Sequence, residues 1–183
     1  MNSKKHQKQE GEYHVRRIIL LSTVLLLLFG SLCGCLPKKM MVIPDEESIG
    51  EAKTFEKAGL TITLTDEFVE QESRVGFDAY YVTDFCGVVV LKEEFSLKEG
   101  MAEESLEEYI NNVMKNNGHT GIAAQHKDGL WFYENSSSGG NFVRSYSYKG
   151  SDAFYIVQFI CRASDAETLG DTFYLWAQSV KVK

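Results

Sequence analysis

Proline is scarce in this sequence. The 183 residues include two prolines, Pro37 and Pro44, and none follows them. Proline removes a backbone donor and interrupts both helices and central strands, so the chain beyond residue 44 is free to form long regular elements. The length suits one domain with room for a leader or tail.

Basic residues are in deficit. The chain has 19 Lys and Arg against 26 Asp and Glu, which gives a net charge of -7. A protein that binds phosphates along a nucleic acid needs a basic surface, so we expect no nucleic-acid partner. Disorder along the whole chain is excluded too, because 44% of the residues are hydrophobic and 12% are aromatic.

Residues that carry catalysis or hold metals are few. His119 and His126 are the only histidines beyond residue 34, whereas a metal site needs three or four convergent ligands. The serines of 136–138 have no Gly-x-Ser-x-Gly surroundings, and the acidic run 93–108 contains no calcium-loop motif. We therefore expect no metal, no cofactor and no enzymatic activity.

The one long apolar run lies near the start of the chain. Residues 18–29 are apolar apart from Ser22 and Thr23, and five basic residues precede them. A charged segment followed by an apolar stretch of this length is typical of a secretory signal, and it is short for a transmembrane span. A signal anchor that is never cleaved is the alternative.

The residues after this run, Leu32-Cys33-Gly34-Cys35, resemble a bacterial lipobox. The resemblance implies a signal peptide over 1–34, cleavage before Cys35 and a diacylglyceryl group on the Cys35 thiol. The protein would then be held at the extracytoplasmic face of a bacterial cell membrane. Cleavage removes more basic than acidic residues, so the lipid, not surface charge, would be the membrane contact. Residues 35–52 would form a short tether.

The body, 53–183, reads as strands with two helices. Ile62 and Leu64 alternate with threonines after a turn at Ala58-Gly59, which predicts a half-buried strand. Other strands are predicted from runs of apolar and aromatic residues, and the first two of them are separated at Cys86-Gly87. These runs are Ala79–Phe85, Val88–Phe95, Leu130–Glu134, Phe142–Tyr148 and Ala153–Ala163.

Two helices are predicted from capping patterns. Ser105 with Glu108, and Ser164 with Glu167, have the capping-box spacing and precede apolar residues at helical intervals. Strands that are apolar on both faces need cover on both faces. The sequence therefore predicts an α+β fold, with a mainly antiparallel β-sheet flanked by helices.

This order of elements resembles the PsbP-like fold as found in bacterial lipoproteins, including the DcrB type. It begins with FEKAGLTITLTDEF, continues through the helix SLEEYINNVMKNNG and the strand AFYIVQFICRAS, and ends in a last helix. The resemblance covers about 53–183 and implies an αβα sandwich. It also implies an accessory or binding role, and it carries over no functional residue.

Four aromatic residues on neighbouring strands form a candidate interaction patch: Trp131, Tyr133, Tyr146 and Tyr148. If exposed, they would favour a protein partner, because Trp and Tyr dominate interface energetics. The alternative is that the terminal helix covers them.

Cys86 and Cys161 are the cysteines that remain after lipidation of Cys35. An even number outside the cytoplasm permits a disulfide. The alternative is two buried thiols that act as small hydrophobic side chains, and the spacing favours it because it has no diagnostic form.

Two functions follow. The first is a membrane-anchored extracytoplasmic lipoprotein that acts as a non-catalytic accessory or protein-binding module, with an unidentified protein partner. The second is a small-ligand-binding lipoprotein that feeds a transporter. A flat, exposed aromatic patch would favour the first, and an apolar cleft with two or three convergent polar groups would favour the second.

Overall fold

The computed structural model describes residues 50–72, 76–137 and 139–183. Within those ranges it contains ten strands and two α-helices. The strands are β1 Ala52–Lys57, β2 Leu60–Thr65, β3 Val69–Glu70, β4 Ala79–Val82, β5 Cys86–Glu94, β6 Gln125–Lys127, β7 Leu130–Ser136, β8 Asn141–Lys149, β9 Ala153–Arg162 and β10 Lys181–Val182. The helices are α1 Leu106–Asn116 and α2 Ala166–Gln178.

The strands form two sheets in which neighbours run antiparallel. The larger has the order β3-β4-β5-β9-β8-β7-β6, and the smaller has the order β1-β2-β10. Helix α1 packs on one face of the large sheet. Helix α2 and the small sheet pack on the other. The predicted α+β sandwich with a mainly antiparallel sheet is confirmed.

The first hairpin turns where the sequence predicts it. Ala58 and Gly59 both have positive φ, 55° and 85°, which allows β1 to pair directly with β2. A Cβ at Gly59 would lie 2.7 Å from the Tyr155 hydroxyl oxygen. That hydroxyl donates to the Ala58 carbonyl at 3.2 Å, so the turn is tied to the large sheet.

The break between β4 and β5 lies earlier than the sequence suggests. Cys86 and Gly87 belong to β5, and the turn consists of residues 83–85. The Thr83 hydroxyl accepts hydrogen bonds from the backbone N–H groups of Phe85 and Cys86. A threonine side chain, not the glycine, therefore makes this turn.

The two predicted helix starts have different outcomes. Ser105 caps α1 in a full capping box, in which its hydroxyl accepts from the Glu108 N–H and the Glu108 carboxylate accepts from the Ser105 N–H. The second box is wrong. A 3₁₀ turn over Ala163–Asp165 leads into α2, and the Ser164 hydroxyl donates to Asp165 instead.

The core lies mainly between the large sheet and α2. Phe159 is central in it and contacts Tyr146, Phe173 and Trp176 through ring centroids 5.2–6.2 Å apart. Six residues spread over both sheets and both helices are buried: Phe55, Leu64, Val89, Ile110, Phe159 and Trp176.

Candidate functional site

The predicted lipidation site, Cys35, lies outside the described residues, as do the signal peptide and nearly all of the tether. Those parts of the sequence interpretation stay predictions. Across the part of the chain that the structure describes, no helix combines the length and hydrophobicity that a membrane crossing needs.

The four aromatic residues do not form one exposed patch. Tyr133, Tyr146 and Tyr148 are buried, and Trp131 is half-buried. Trp131 and Tyr133 face α1, whereas Tyr146 and Tyr148 face α2. In the structure helices cover the set, and both helices are needed. The two aromatic residues of β7 point to one face of the sheet, and those of β8 point to the other.

Each of the three buried tyrosines packs against a helix or against core side chains. The Tyr148 hydroxyl donates to the Ala177 carbonyl of α2 at 2.8 Å. The Tyr146 ring lies against Phe132 and Phe159. Tyr133 packs with Ile110 and Met114 of α1. These residues hold the helices on the sheet.

The two histidines lie apart from any cluster of metal ligands. Among the residues described, no group of three or more His, Cys, Asp or Glu is arranged to hold a metal ion. His126 is exposed and its ring lies 4.9 Å from that of Trp131. His119 is half-buried beside Tyr133, and partial burial lowers its pKa from the ordinary value.

A row of polar side chains crosses the sheet under α1. Tyr133 pairs with Ser145, and Ser145 pairs with Gln158, on the successive strands β7, β8 and β9. All three are at most 3% exposed. The Gln158 amide nitrogen donates to the Ser145 hydroxyl at 3.2 Å, and both side chains lie close to the Tyr133 hydroxyl. This polar row stands out because its neighbours on this face are mostly apolar.

A cleft of about 110 Å³ opens between this row, α1 and strand β5. Its apolar wall consists of Leu91, Leu97, Val113 and Ile156. Its polar lining consists of Asp78, Lys92, Glu93, Tyr109, Asn116, Asn117, Tyr133 and Gln158. The cleft therefore has an apolar body and convergent polar groups, which is the usual composition of a small-molecule site.

Gln158 and Asn117, two residues of the cleft lining, each have an amide oxygen without a hydrogen-bond partner among the described residues. Both oxygens, Gln158 Oε1 and Asn117 Oδ1, are buried. The Asn117 amide nitrogen donates to the Val113 carbonyl at 2.9 Å, which fixes Oδ1 as an unpaired acceptor. Buried polar atoms are nearly always paired in proteins. Four buried hydroxyl groups, those of Thr65, Tyr81, Tyr146 and Ser147, are unpaired as well, and the two amide oxygens differ from them in belonging to residues that line the cleft.

A carboxylate completes this set of acceptors. The Tyr109 hydroxyl donates to Glu93 Oε2 at 2.9 Å, and the Tyr109 ring stacks on Phe154 with 4.0 Å between centroids. Burial raises the pKa of Glu93 from the ordinary value, although the Tyr109 hydrogen bond opposes this. A carboxyl group with a raised pKa in a cleft marks a candidate functional residue.

The electrostatics of the cleft favour a cation. Asp78 and Glu93 both line it, and the Asp78 carboxylate accepts from the Lys92 backbone N–H at 2.6 Å. The Lys92 ammonium forms ion pairs with other carboxylates, Asp152 at 3.0 Å and Glu94 at 3.7 Å. Two carboxylates, those of Asp78 and Glu93, thus belong to the lining of the cleft.

This site is not evident from the sequence. Glu93 is one member of an acidic run, and Gln158 is a single polar residue in the mostly apolar strand β9. Gln158 is the one signal in the sequence, because an amide among ten mostly apolar positions needs a partner. Its partners on β7 and β8, and the end of α1, are brought to it only by the fold.

Comparison with solved structures identifies the fold. The solution structure of cyanobacterial PsbP (CyanoP) from Synechocystis sp. PCC 6803 matches 78% of this chain and 99% of its own, with a TM-score of 0.52 and 12% identity. The chain therefore has a PsbP-like fold, as its element order predicts.

Two further solved structures resemble the chain more weakly. PA94 from Pseudomonas aeruginosa, a protein of unknown function, matches 73% of this chain and 99% of its own, with a TM-score of 0.40 and 10% identity. LpqN of Mycobacterium tuberculosis, involved in cell envelope biogenesis, matches 72% and 90%, with a TM-score of 0.41 and 10% identity. No protein-family model and no curated protein sequence matches the chain.

Proposed function

We propose that this protein is a lipid-anchored, extracytoplasmic accessory protein that binds a small cationic molecule in the cleft under α1, without catalysing a reaction. The anchor rests on the lipobox-like residues that end at Cys35. The binding role rests on the cleft, and above all on the unpaired Gln158 oxygen within it.

The Gln158 oxygen supports binding because its present environment is unfavourable. A buried acceptor without a donor costs about 1–3 kcal/mol relative to a paired one. The residue is 3% exposed and lies on a strand whose other side chains on this face include Phe154 and Ile156. A ligand donor in the cleft would satisfy this oxygen and the one on Asn117 together.

The chemistry of the cleft selects a primary ammonium or a similar group with donors alone. Such a group offers three N–H bonds and no acceptor, and it would meet Gln158 Oε1, Asn117 Oδ1 and the Glu93 carboxylate. The apolar wall would take a short hydrocarbon body. An apolar cavity of roughly 150 Å³ admits benzene, so a fragment of about four to six non-hydrogen atoms suits this one.

The acidic character of the chain adds a longer-range contribution. With a net charge of -7, the surface attracts cations and repels anions, which favours the encounter with an amine at low salt. The protein partner and the transporter suggested by the sequence stay predictions. A bound amine is compatible with either.

The test uses n-butylammonium as the probe on the full-length protein in detergent. Binding at ten times Kd adds about 1.4 kcal/mol of stability, which raises the melting temperature of a domain of this size by roughly 3–6 °C. Trp131 and Trp176 report unfolding by fluorescence. Sodium chloride at equal ionic strength controls for screening.

Two matched probes make the result specific. The alcohol n-butanol keeps the body but lacks the charge, and butanoate reverses the charge. We expect stabilisation by the ammonium alone, and its loss in Glu93→Gln. Equal shifts with all three probes, or an unchanged shift in Glu93→Gln, would contradict binding in this cleft.

A further inference from the structure

We propose that Cys86 and Cys161 form a disulfide that links the central strands β5 and β9 when the chain folds in the presence of a disulfide oxidant. The two cysteines lie directly opposite each other in the β5–β9 ladder. Both are buried in the core cluster on the α2 face of the sheet, at 5% and 3% exposure, and both are thiols in the structure.

The ladder places them at a rung without backbone hydrogen bonds. The Phe95 N–H donates to the Asp152 carbonyl at 2.8 Å, so this rung is a hydrogen-bonded pair. Hydrogen-bonded and non-hydrogen-bonded residue pairs alternate along antiparallel strands. Cys86 lies an odd number of residues from Phe95, so Cys86 and Cys161 form a non-hydrogen-bonded pair.

The hydrogen bonds between β9 and β8 also show that Cys86 and Cys161 share no backbone hydrogen bond. The Ala163 N–H donates to the Gly140 carbonyl, and the Gly150 N–H donates to the Ala153 carbonyl, both at 2.8 Å. Odd-numbered residues of β9 therefore direct their backbone groups to β8. Cys161 is one of them, so its backbone bonds lie with Phe142, its partner on β8, and none are made to Cys86.

A non-hydrogen-bonded pair suits a disulfide. Its Cα atoms lie about 4.5 Å apart, and disulfides join Cα atoms separated by about 4.4–6.8 Å. The side chains of such a pair approach more closely than those of a hydrogen-bonded pair. A sulfur–sulfur bond here therefore needs little backbone movement.

The chemistry is ordinary exchange with a disulfide-bearing oxidant. One thiolate attacks the oxidant and releases a thiol, and the second thiolate then attacks the mixed disulfide and releases another. The two cysteines lose two protons and two electrons, and the oxidant is reduced to two thiols. No metal or further cofactor is required.

The timing follows from burial. Burial raises the pKa of Cys86 and of Cys161 to about 12 each, so thiolate is scarce once the strands have closed. The bond therefore forms while β5 and β9 come together. After closure the same burial protects it from reductants.

The experiment unfolds full-length protein with reductant, then refolds it in detergent with excess glutathione disulfide. Peptide mapping without reduction is expected to find the Cys86 and Cys161 peptides joined and lighter by two hydrogen atoms than their sum. Protein that regains its native circular dichroism with these peptides separate, alkylated or carrying glutathione, would overturn the proposal.

Alanine variants give a second readout that covers a failed refolding. In oxidised protein, Cys86→Ala lowers the melting temperature by roughly 10 °C, because the closed loop is long. Adding Cys161→Ala then lowers it little, since the bond is already lost. Under reductant Cys86→Ala is expected to lower the melting temperature much less, because no bond is lost. An equal loss for Cys86→Ala with and without reductant would mean that the thiols only fill space.

Discussion

Replacing Gln158 by methionine separates a binding role from a structural one. Methionine fills similar volume without polar donors or strong acceptors. The change removes the hydrogen bond to Ser145, at 3.2 Å, which is worth about 0.5–1.5 kcal/mol. It also removes a buried oxygen without a partner, which costs the wild type about 1–3 kcal/mol.

The balance predicts a more stable variant. Ser145 keeps the Tyr133 hydroxyl as a neighbour, so it is not left isolated. We expect Gln158→Met to raise the free energy of unfolding by about 1 kcal/mol, a substantial part of the 5–15 kcal/mol typical of a domain. Stability gained where a functional group is lost is the usual trade-off at binding sites.

Urea denaturation followed by tryptophan fluorescence measures this change. With a slope of about 2 kcal/mol per molar, the midpoint is expected to rise by roughly 0.5 M, while stabilisation by n-butylammonium disappears. Ile156→Met on the same face is the matched control, and it should not gain stability. A Gln158→Met variant that loses more than about 1 kcal/mol would show that the amide holds the sheet together, and the binding argument would fail.

Further predictions concern the core, the carboxylate and the anchor. Trp176→Ala should lower the free energy of unfolding by about 3–5 kcal/mol, because Trp176 packs on Phe68 and Phe159; an unchanged urea midpoint would mean that α2 does not dock through it. Burial raises the pKa of Glu93 above 4.5, so the stability from its neutral form is present below pH 4.5 and is lost as pH rises through the folded pKa. Glu93→Gln should remove that decline in denaturation curves taken across pH, and an identical decline in the variant would place its source elsewhere. Cys35→Ala should leave an unprocessed precursor without fatty-acid label, and label that persists would refute lipidation at Cys35.

Much of the fold could be predicted because local patterns agree with tertiary packing. The capping box at Ser105, the turn at Ala58-Gly59 and the two-sided strand β9 each depend on residues close in sequence. The prediction of a second capping box is wrong because Ser164 lies inside a 3₁₀ turn, Ala163–Asp165, that precedes α2. The spacing of Ser164 and Glu167 does not reveal this turn. The short strand β10 was missed, since two residues carry no periodic signal.

The candidate site could not be predicted, because its members are distant in the chain. Glu93, Asn117, Tyr133 and Gln158 come from β5, the end of α1, β7 and β9. Antiparallel register alone brings Tyr133 and Gln158 into one row through Ser145. The sequence leaves the aromatic set open between an exposed patch and helix cover, because only the register of β7 and β8 places Trp131 and Tyr133 on one face and Tyr146 and Tyr148 on the other.

A crystal structure of the protein with n-butylammonium would show directly whether the cleft binds an amine. We expect the ammonium nitrogen within hydrogen-bond distance of Gln158 Oε1 and the Glu93 carboxylate, with the hydrocarbon against Leu91 and Ile156. Crystals of Gln158→Met grown under the same conditions should have an empty cleft. An amine bound elsewhere on the surface, with the wild-type cleft empty, would show that the cleft is not the binding site.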